Sequence, residues 1–156
     1  NNPRVHIIPF AVDIENTFKE LNITGLGDWG SSSLFKFVDN VNELWHNVHT
    51  GLKVTHSYKV PTITLYDFCN LYNINCIDYL WIDAQGNDLN CLKSLRDKIS
   101  IVKEGRCEAD YSVQEYKDTD NNWETVRDWL TSKGFQVTIN VDQYWPQQAN
   151  IDFKRV

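Results

Sequence analysis

IDYLWIDAQGNDLNCLKSL, residues 77–95, runs from an apolar stretch through a short polar turn into a leucine-bearing segment. DYLWID (78–83) is an apolar run that ends on an acid, the sign of a strand buried on both faces. From Asn87 to Asp97, the residues Leu89, Leu92 and Leu95 fall on one helical face. A strand followed directly by a helix is one half of a right-handed crossover unit, so the flanking sequence decides whether the unit repeats.

Downstream it does. ISIV (99–102) and its continuation toward Cys107 read as the next strand. Asn121 and Glu124 have capping-box spacing ahead of Trp123, Val126 and Leu130, and Gly134 suits the residue just past that helix. FQVTINV (135–141) and NIDFKRV (150–156) then close the chain as an antiparallel hairpin. Upstream, VHIIPF (5–10) reads as a buried strand with a turn signal near Asp13, and GLGDWGSSS (25–33) as a loop. LFKFV (34–38) alternates like a strand. Val41, Leu44, Trp45 and Val48 share one helix face, with Asn40 and Glu43 boxing its start and Gly51 ending it. KVTHSYKVPTIT (53–64) is extended, with Pro61 barred from a central ladder position, and Thr64 caps a short helix carrying Leu65, Phe68 and Tyr72. The pattern predicts one α/β domain over residues 1–156, three-layered, with a mostly parallel sheet and a terminal hairpin.

Composition bounds the function. The chain has 156 residues, 42% of them hydrophobic and 23% charged, which fits one globular core. Fifteen basic against 21 acidic residues give a net charge of −6, which argues against nucleic acid as a partner. The apolar runs are too short to span a bilayer and no basic-then-apolar leader precedes them, so no membrane partner and a cytoplasmic location are expected. With Asn1 first and no Met, a processed product or fragment is expected. Cys69, Cys76, Cys91 and Cys107 contain no CxxC or CxxH pair, so buried free thiols are expected rather than zinc or a disulfide framework. Asn22-Ile23-Thr24 is a lone glycosylation sequon.

In open parallel sheets ligands bind beyond the carboxyl ends of the strands, so the residues that end each strand are the informative ones. Two of them are acids. Asp83 ends DYLWID and Glu108 ends the following strand, in GRCEAD. If these strands are neighbours, both carboxylates face one crevice, able to orient or deprotonate a hydroxyl or to bind an ammonium group or a metal. The structural alternatives are an N-cap role for Asp83 and a solvated loop carboxylate for Glu108. Gly86 either lets backbone approach a ligand or simply permits the turn into the helix.

Trp45, Trp123 and Trp129 sit at helical spacings and are expected in the core, whereas Trp29 and Trp145, in loop contexts, are the candidates for stacking on an acceptor. His46 and His49 stand i, i+3 with His56 nearby, but no further ligand falls in register, so no metal site is expected. GxSxG, Walker and HExxH motifs are absent, and Cys91 has no His at a telling distance for a nucleophile.

TLYDF (64–68) followed by IDYLWIDAQGNDLNCLKSL resembles the core signature of FkbM-type methyltransferases: a T-L-D-D-like segment, a strand ending in aspartate, a V-E-G-x-E turn and a leucine-rich helix. The similarity continues through the strand ending in Glu108, the helix running into SKGFQV (132–137) and NIDFKRV. Upstream, IIPFAVDIEN (7–16) and GSSSLF (30–35) are similar to the family's A-V-x-D and G-S-S-S-L segments. The resemblance implies a Rossmann-like methyltransferase that uses S-adenosylmethionine to methylate a hydroxyl of a sugar or similar metabolite. It places Asp83 next to the methyl-transfer centre and Glu108 on the acceptor side. It also places Ala11 and Asp13 beside the adenine end of the donor, with Ser32 and Ser33 in the loop that follows.

There are departures. Gln85 stands where the family has the glutamate of V-E-G, and Asp88 where it has the later glutamate; Gln85 keeps hydrogen bonding toward the cofactor without the charge. No G-x-G turn follows an early strand, so the sheet is expected to lack its first two strands and to bind the donor weakly. The expected partners are a small-molecule or glycan acceptor and, through an open sheet edge, a second copy of the chain. A rival reading is a non-catalytic methyltransferase-like interaction or glycan-binding domain; another places a divalent cation between Asp83 and Asp88.

Overall fold

A computed structural model describes residues 4–25, 29–45 and 51–156, residue 29 by its backbone alone. In chain order the elements begin with strands β1 (Ala11–Val12) and β2 (Phe18–Thr24), helix α1 (Val41–Leu44), β3 (Val54–Ile63) and α2 (Leu65–Leu71). They continue with β4 (Ile77–Trp81), α3 (Asp88–Ser94), β5 (Val102–Asp110), α4 (Trp123–Ser132), β6 (Phe135–Val141) and β7 (Gln148–Arg155).

The strands form two sheets. One has the order β1-β3-β2, the other β4-β5-β7-β6. β1 pairs with β3 and β4 with β5 in parallel, whereas β2–β3, β5–β7 and β6–β7 are antiparallel. The chain is therefore α/β as expected, but its pairing is mainly antiparallel and divided between two sheets rather than mostly parallel in one. The terminal hairpin is present, with Phe135 opposite Arg155 and Val141 opposite Ala149.

Four strand expectations are altered, and an apolar run makes a strand only where a partner offers free N–H and C=O groups. VHIIPF forms no strand, and Ile7 is 89% exposed. The pairing starts one residue later, at Ala11 opposite Thr62. LFKFV makes one isolated bridge, Phe37 with Tyr116, and another, Ser33 with Asn22, lies just before it. DYLWID is a strand but an outer one, bonded to β5 alone, with Trp81 67% exposed, so it is not buried on both faces. The first three residues of ISIV are taken up by a 3-10 turn (Arg96–Ile101), and the expected strand begins at its last residue, Val102, and runs through Cys107.

Local chemistry explains what was legible. Thr64 Oγ1 accepts the Asp67 N–H at 3.0 Å and caps α2. Asn122, one residue after Asn121, caps α4 by accepting from Thr125 at 2.9 Å, and Gly134 follows that helix at φ 81°. Asn40 makes no side-chain cap for α1; Val48 and the rest of 46–50 lie outside the described residues. Pro61 stands opposite Phe18 in a non-hydrogen-bonded pair, because Thr62 N–H reaches the Thr17 carbonyl at 2.8 Å. Its ring nitrogen thus faces the β1 side, where pairing begins only at Thr62.

The main core joins α3 and α4 to the second sheet through Leu89, Leu92, Leu95, Val126, Leu130 and Phe153, with Trp123 and Trp129 packed at its margin. Gly105 permits the closest approach: a side chain there would meet the Leu80 carbonyl at 2.3 Å. Trp45 belongs to a small second core with Val41 and Leu52. Cys69, Cys91 and Cys107 are buried free thiols, and Cys76 is an exposed one. Asn22 is buried, its amide donating to the Ser33 and Phe35 carbonyls, so the sequon offers no accessible amide to a glycan. Among the described residues no helix is long and apolar enough to cross a membrane.

Candidate functional site

The site grows from the β4–β5 pair. Trp81 is level with Arg106 in the parallel ladder, and Ile82 N–H bonds to the Arg106 carbonyl at 2.9 Å. Two residues further along each strand's course stand Asp83, past the end of β4, and Glu108, which does not end its strand as expected because β5 runs on to Asp110; the parallel register sets the two acids side by side. Asp83 is exposed, and Gln85 Nε2 donates to its Oδ1 at 2.7 Å. Among the described residues no hydrogen bond engages the Glu108 carboxyl, whose backbone is pinned from both sides: its N–H donates to Asp88 Oδ1 at 3.1 Å and its carbonyl accepts from Asn121 Nδ2 at 3.0 Å. Burial first, then the negative charges of Asp83, Asp88, Glu115 and Asp110, push the Glu108 pKa up to about 8. Glu108 is thus a neutral acid at pH 7, able to donate as well as accept.

The turn that carries Asp83 is strained in a definite way. Gln85 and Gly86 both have positive φ, 50° and 86°. Three side chains from distant parts of the chain hold them. Ser33 Oγ donates to the Gln85 carbonyl at 2.6 Å and Thr119 Oγ1 to the Gly86 carbonyl at 2.6 Å. The Tyr116 hydroxyl lies 3.0 Å from Gln85 Oε1 and 3.0 Å from the Ser31 carbonyl. The Gln85 amide therefore bridges Tyr116 to Asp83, with its oxygen toward the phenol and its nitrogen toward the carboxylate. Gly86 serves the turn itself: a Cβ there would lie 2.7 Å from the Tyr116 ring.

Asp88 is fully buried, its oxygens accepting from Glu108 N–H at 3.1 Å and Ala84 N–H at 3.3 Å, and burial raises its pKa to about 7. It ties the end of β5 to the turn after β4. Among the described residues no group of three or more His, Cys, Asp or Glu side chains is arranged to hold a metal ion. His46 and His49 lie outside the described residues, and His56 is exposed beside Tyr58.

The upstream candidates reach the same end of the molecule. The Val12 carbonyl, between Ala11 and Asp13, accepts from Asn87 Nδ2 at 2.8 Å, which docks β1 on the start of α3. Asp13 is buried and pairs with Lys19, while its Oδ1 accepts the Ile14 N–H at 2.8 Å. Ser33 is buried, donating to Gln85 and accepting from Phe35 N–H at 3.0 Å. Ser32 Oγ is 3.2 Å from Thr24 Oγ1. Of the two loop tryptophans, Trp145 packs against Trp45 with the rings tilted by 36° and their centroids 5.8 Å apart, and the Trp29 side chain is not described.

Sequence reading missed Tyr116, Thr119, Asn121, Asp110 and Glu115, which wall the Glu108 side of the site. With Gln85, Gly86 and Glu108, four of these (Asp110, Glu115, Tyr116 and Asn121) enclose a polar slit of about 10 Å³, room for a single water. Only Asp110 carried a signal, as the acid two places after Glu108; the others reach the site from a loop with no periodicity of its own.

No curated protein and no solved structure matches the chain. A family model, described as the methyltransferase FkbM domain, matches residues 1–137. That span contains Asp83, Glu108, the strained turn and the loop that holds it, and it places this chain in the FkbM methyltransferase family.

Proposed function

We propose that this chain methylates a hydroxyl oxygen of a sugar or similar metabolite. The observation that carries the reading is the placing of Asp83, just past the end of β4, beside Glu108 near the end of the parallel neighbour β5, in a methyltransferase-family chain. An acceptor O–H lying between them donates to the free oxygen of Asp83, and Asp83 takes the proton as the oxygen becomes nucleophilic. Glu108, protonated at neutral pH, donates to a second oxygen of the acceptor. Gln85, held by Tyr116, keeps the other Asp83 oxygen fixed. Most of the rate then comes from alignment of the attacking oxygen.

The family implies an S-adenosylmethionine-type donor, which supplies an electrophilic methyl group when bound. The side chains expected to hold it do not fit that task here. Asp13, Ser32, Ser33 and Gln85 spend their polar groups within the fold, and Ala11 lies in the β1–β3 ladder. This commitment favours the second reading, a non-catalytic interaction or glycan-binding domain that keeps the acceptor side alone.

One experiment separates the two. The chain is incubated with excess S-adenosylmethionine and a panel of monosaccharides and glycosides, and products are read by mass spectrometry. An O-methylated product supports the enzyme; unmodified acceptors throughout the panel support the binding domain.

A further inference from the structure

β5 runs on past Glu108 to Asp110, and the chain then turns through 111–122 before α4. This turn walls a cleft of about 180 Å³, formed by Asp110, Tyr111, Ser112, Gln114, Thr119 and Asn122. Asp110 also lines the narrow slit that contains Glu108, so the cleft is next to the proposed reaction centre and connected to it through one residue.

Asp110 is only 9% exposed. Its Oδ1 accepts a long bond from Glu115 N–H at 3.4 Å, and its Oδ2 has no hydrogen-bond partner among the described residues. Burial pushes its pKa up to about 6, so at neutral pH it is mostly ionised. That oxygen reaches solvent on the wall of the cleft, so it is open to accept a hydrogen bond from water or from a ligand there.

Tyr111 forms the apolar side of the cleft. It is 40% exposed, and its ring is propped at 5.5 Å by Trp123, over which Arg127 sits at 4.8 Å. A ring fixed on one side and open on the other is a platform for the apolar face of a sugar or similar ring. Gln114 spends its amide nitrogen on the Thr119 carbonyl at 3.1 Å, which leaves its oxygen as a further acceptor. Among the described residues no lysine or arginine lines the cleft, and Glu108 and Glu115 stand just behind Asp110. Phosphate and carboxylate ligands are therefore repelled. The volume is below the roughly 300–1,000 Å³ of drug-sized pockets, enough for one ring.

We infer that this cleft is a subsite for one compact hydroxylated ring, uncharged or ammonium-bearing, with Tyr111 as its platform and Asp110 as its acceptor of hydrogen bonds. Only the description of that ring as the methyl acceptor rests on the reaction proposed above. Binding of a single ring through one stacking face and a few hydrogen bonds is expected in the millimolar range.

The test is a ¹H–¹⁵N correlation titration of the chain with methyl β-D-glucoside, D-glucosamine and D-glucose 6-phosphate. The inference predicts shifts at residues 110–114, 119 and 122 with the first two ligands and none there with the phosphate. Tyr111→Ala weakens binding by about tenfold. Tyr111→Leu, which still covers Trp123, does the same and controls for disturbed packing. Asp110→Asn weakens glucosamine more than the glucoside if the ammonium is the preferred donor, and both equally if hydroxyls suffice; either result supports the role of Asp110. Shifts confined to other residues, no response to either neutral or amino sugar, or unchanged affinity in both Tyr111 variants overturn it. Ring binding at the cleft with no methyl transfer leaves the subsite standing and removes the enzymatic reading. Methyl transfer indifferent to Tyr111→Leu does the reverse.

Discussion

Glu108→Gln probes the electrostatics of the site through stability, independently of any substrate. Burial and four neighbouring carboxylates raise the Glu108 pKa from 4.5 to about 8. Below its ordinary pKa the group is protonated in both folded and unfolded chains and contributes no pH dependence. Between that value and about 8 the folded chain keeps a proton that the unfolded chain releases, so stability falls as pH rises through this window and levels off above it. Each pKa unit corresponds to about 1.4 kcal/mol, which sets a ceiling of roughly 5 kcal/mol for a fully buried group. Glu108 is only half-buried at the mouth of the slit, and solvent screening reduces this to on the order of 2 kcal/mol. Glutamine keeps the shape and cannot ionise. Urea unfolding at about pH 5 and about pH 9 should show the variant losing roughly 2 kcal/mol less than the parent between the two, a difference of about 4–8 °C in Tm for a domain of this size. Asp88 and Asp110, raised to about 7 and about 6, retain their part of the slope in both proteins. An identical slope in parent and variant would refute the neutral, proton-donating Glu108.

Gly86→Ala should cost about 2–4 kcal/mol, from a left-handed backbone and a methyl 2.7 Å from the Tyr116 ring. In a Tyr116→Leu background the penalty should shrink, and equal penalties in the two backgrounds would show that the ring is not what the methyl meets. S-adenosylmethionine at its own Kd stabilises by only about 0.4 kcal/mol, so with engaged donor-side residues millimolar donor should raise Tm by no more than about 1–2 °C; a rise of several degrees would contradict their commitment. Cys76 should react alone and fast with a thiol reagent in the folded chain, because Cys69, Cys91 and Cys107 are buried and their pKa values raised by that burial. All four should react in denaturant.

What could be read from the sequence was local. The Thr64 cap, Gly134 after α4 and the hairpin of β6 and β7 each depend on residues a few places apart. Asp83 was legible for the same reason, two places past the end of β4, whereas the end of β5 was placed at Glu108 and lies at Asp110. Partner choice was not legible. VHIIPF and DYLWID have similar apolar character, yet the first finds no ladder and the second finds only β5. The two-sheet division follows from such choices, made across dozens of residues. The Gln85 bridge was hidden likewise: Tyr116 and Ser33 reach it from 31 and 52 positions away. A glutamine in place of an acid looked like loss of charge, and in the structure it is the link between phenol and carboxylate.

The central claim is that Asp83 and Glu108 serve a hydroxyl as it is methylated. Its most direct test is the rate of labelled methyl transfer, at excess S-adenosylmethionine and saturating acceptor, in the parent and in Asp83→Asn. The account predicts transfer to oxygen in the parent and a loss of about 10²–10⁴-fold in the variant, with its unfolding transition unchanged. A folded Asp83→Asn chain that transfers at the parental rate, or a parent that methylates no hydroxyl, would contradict it.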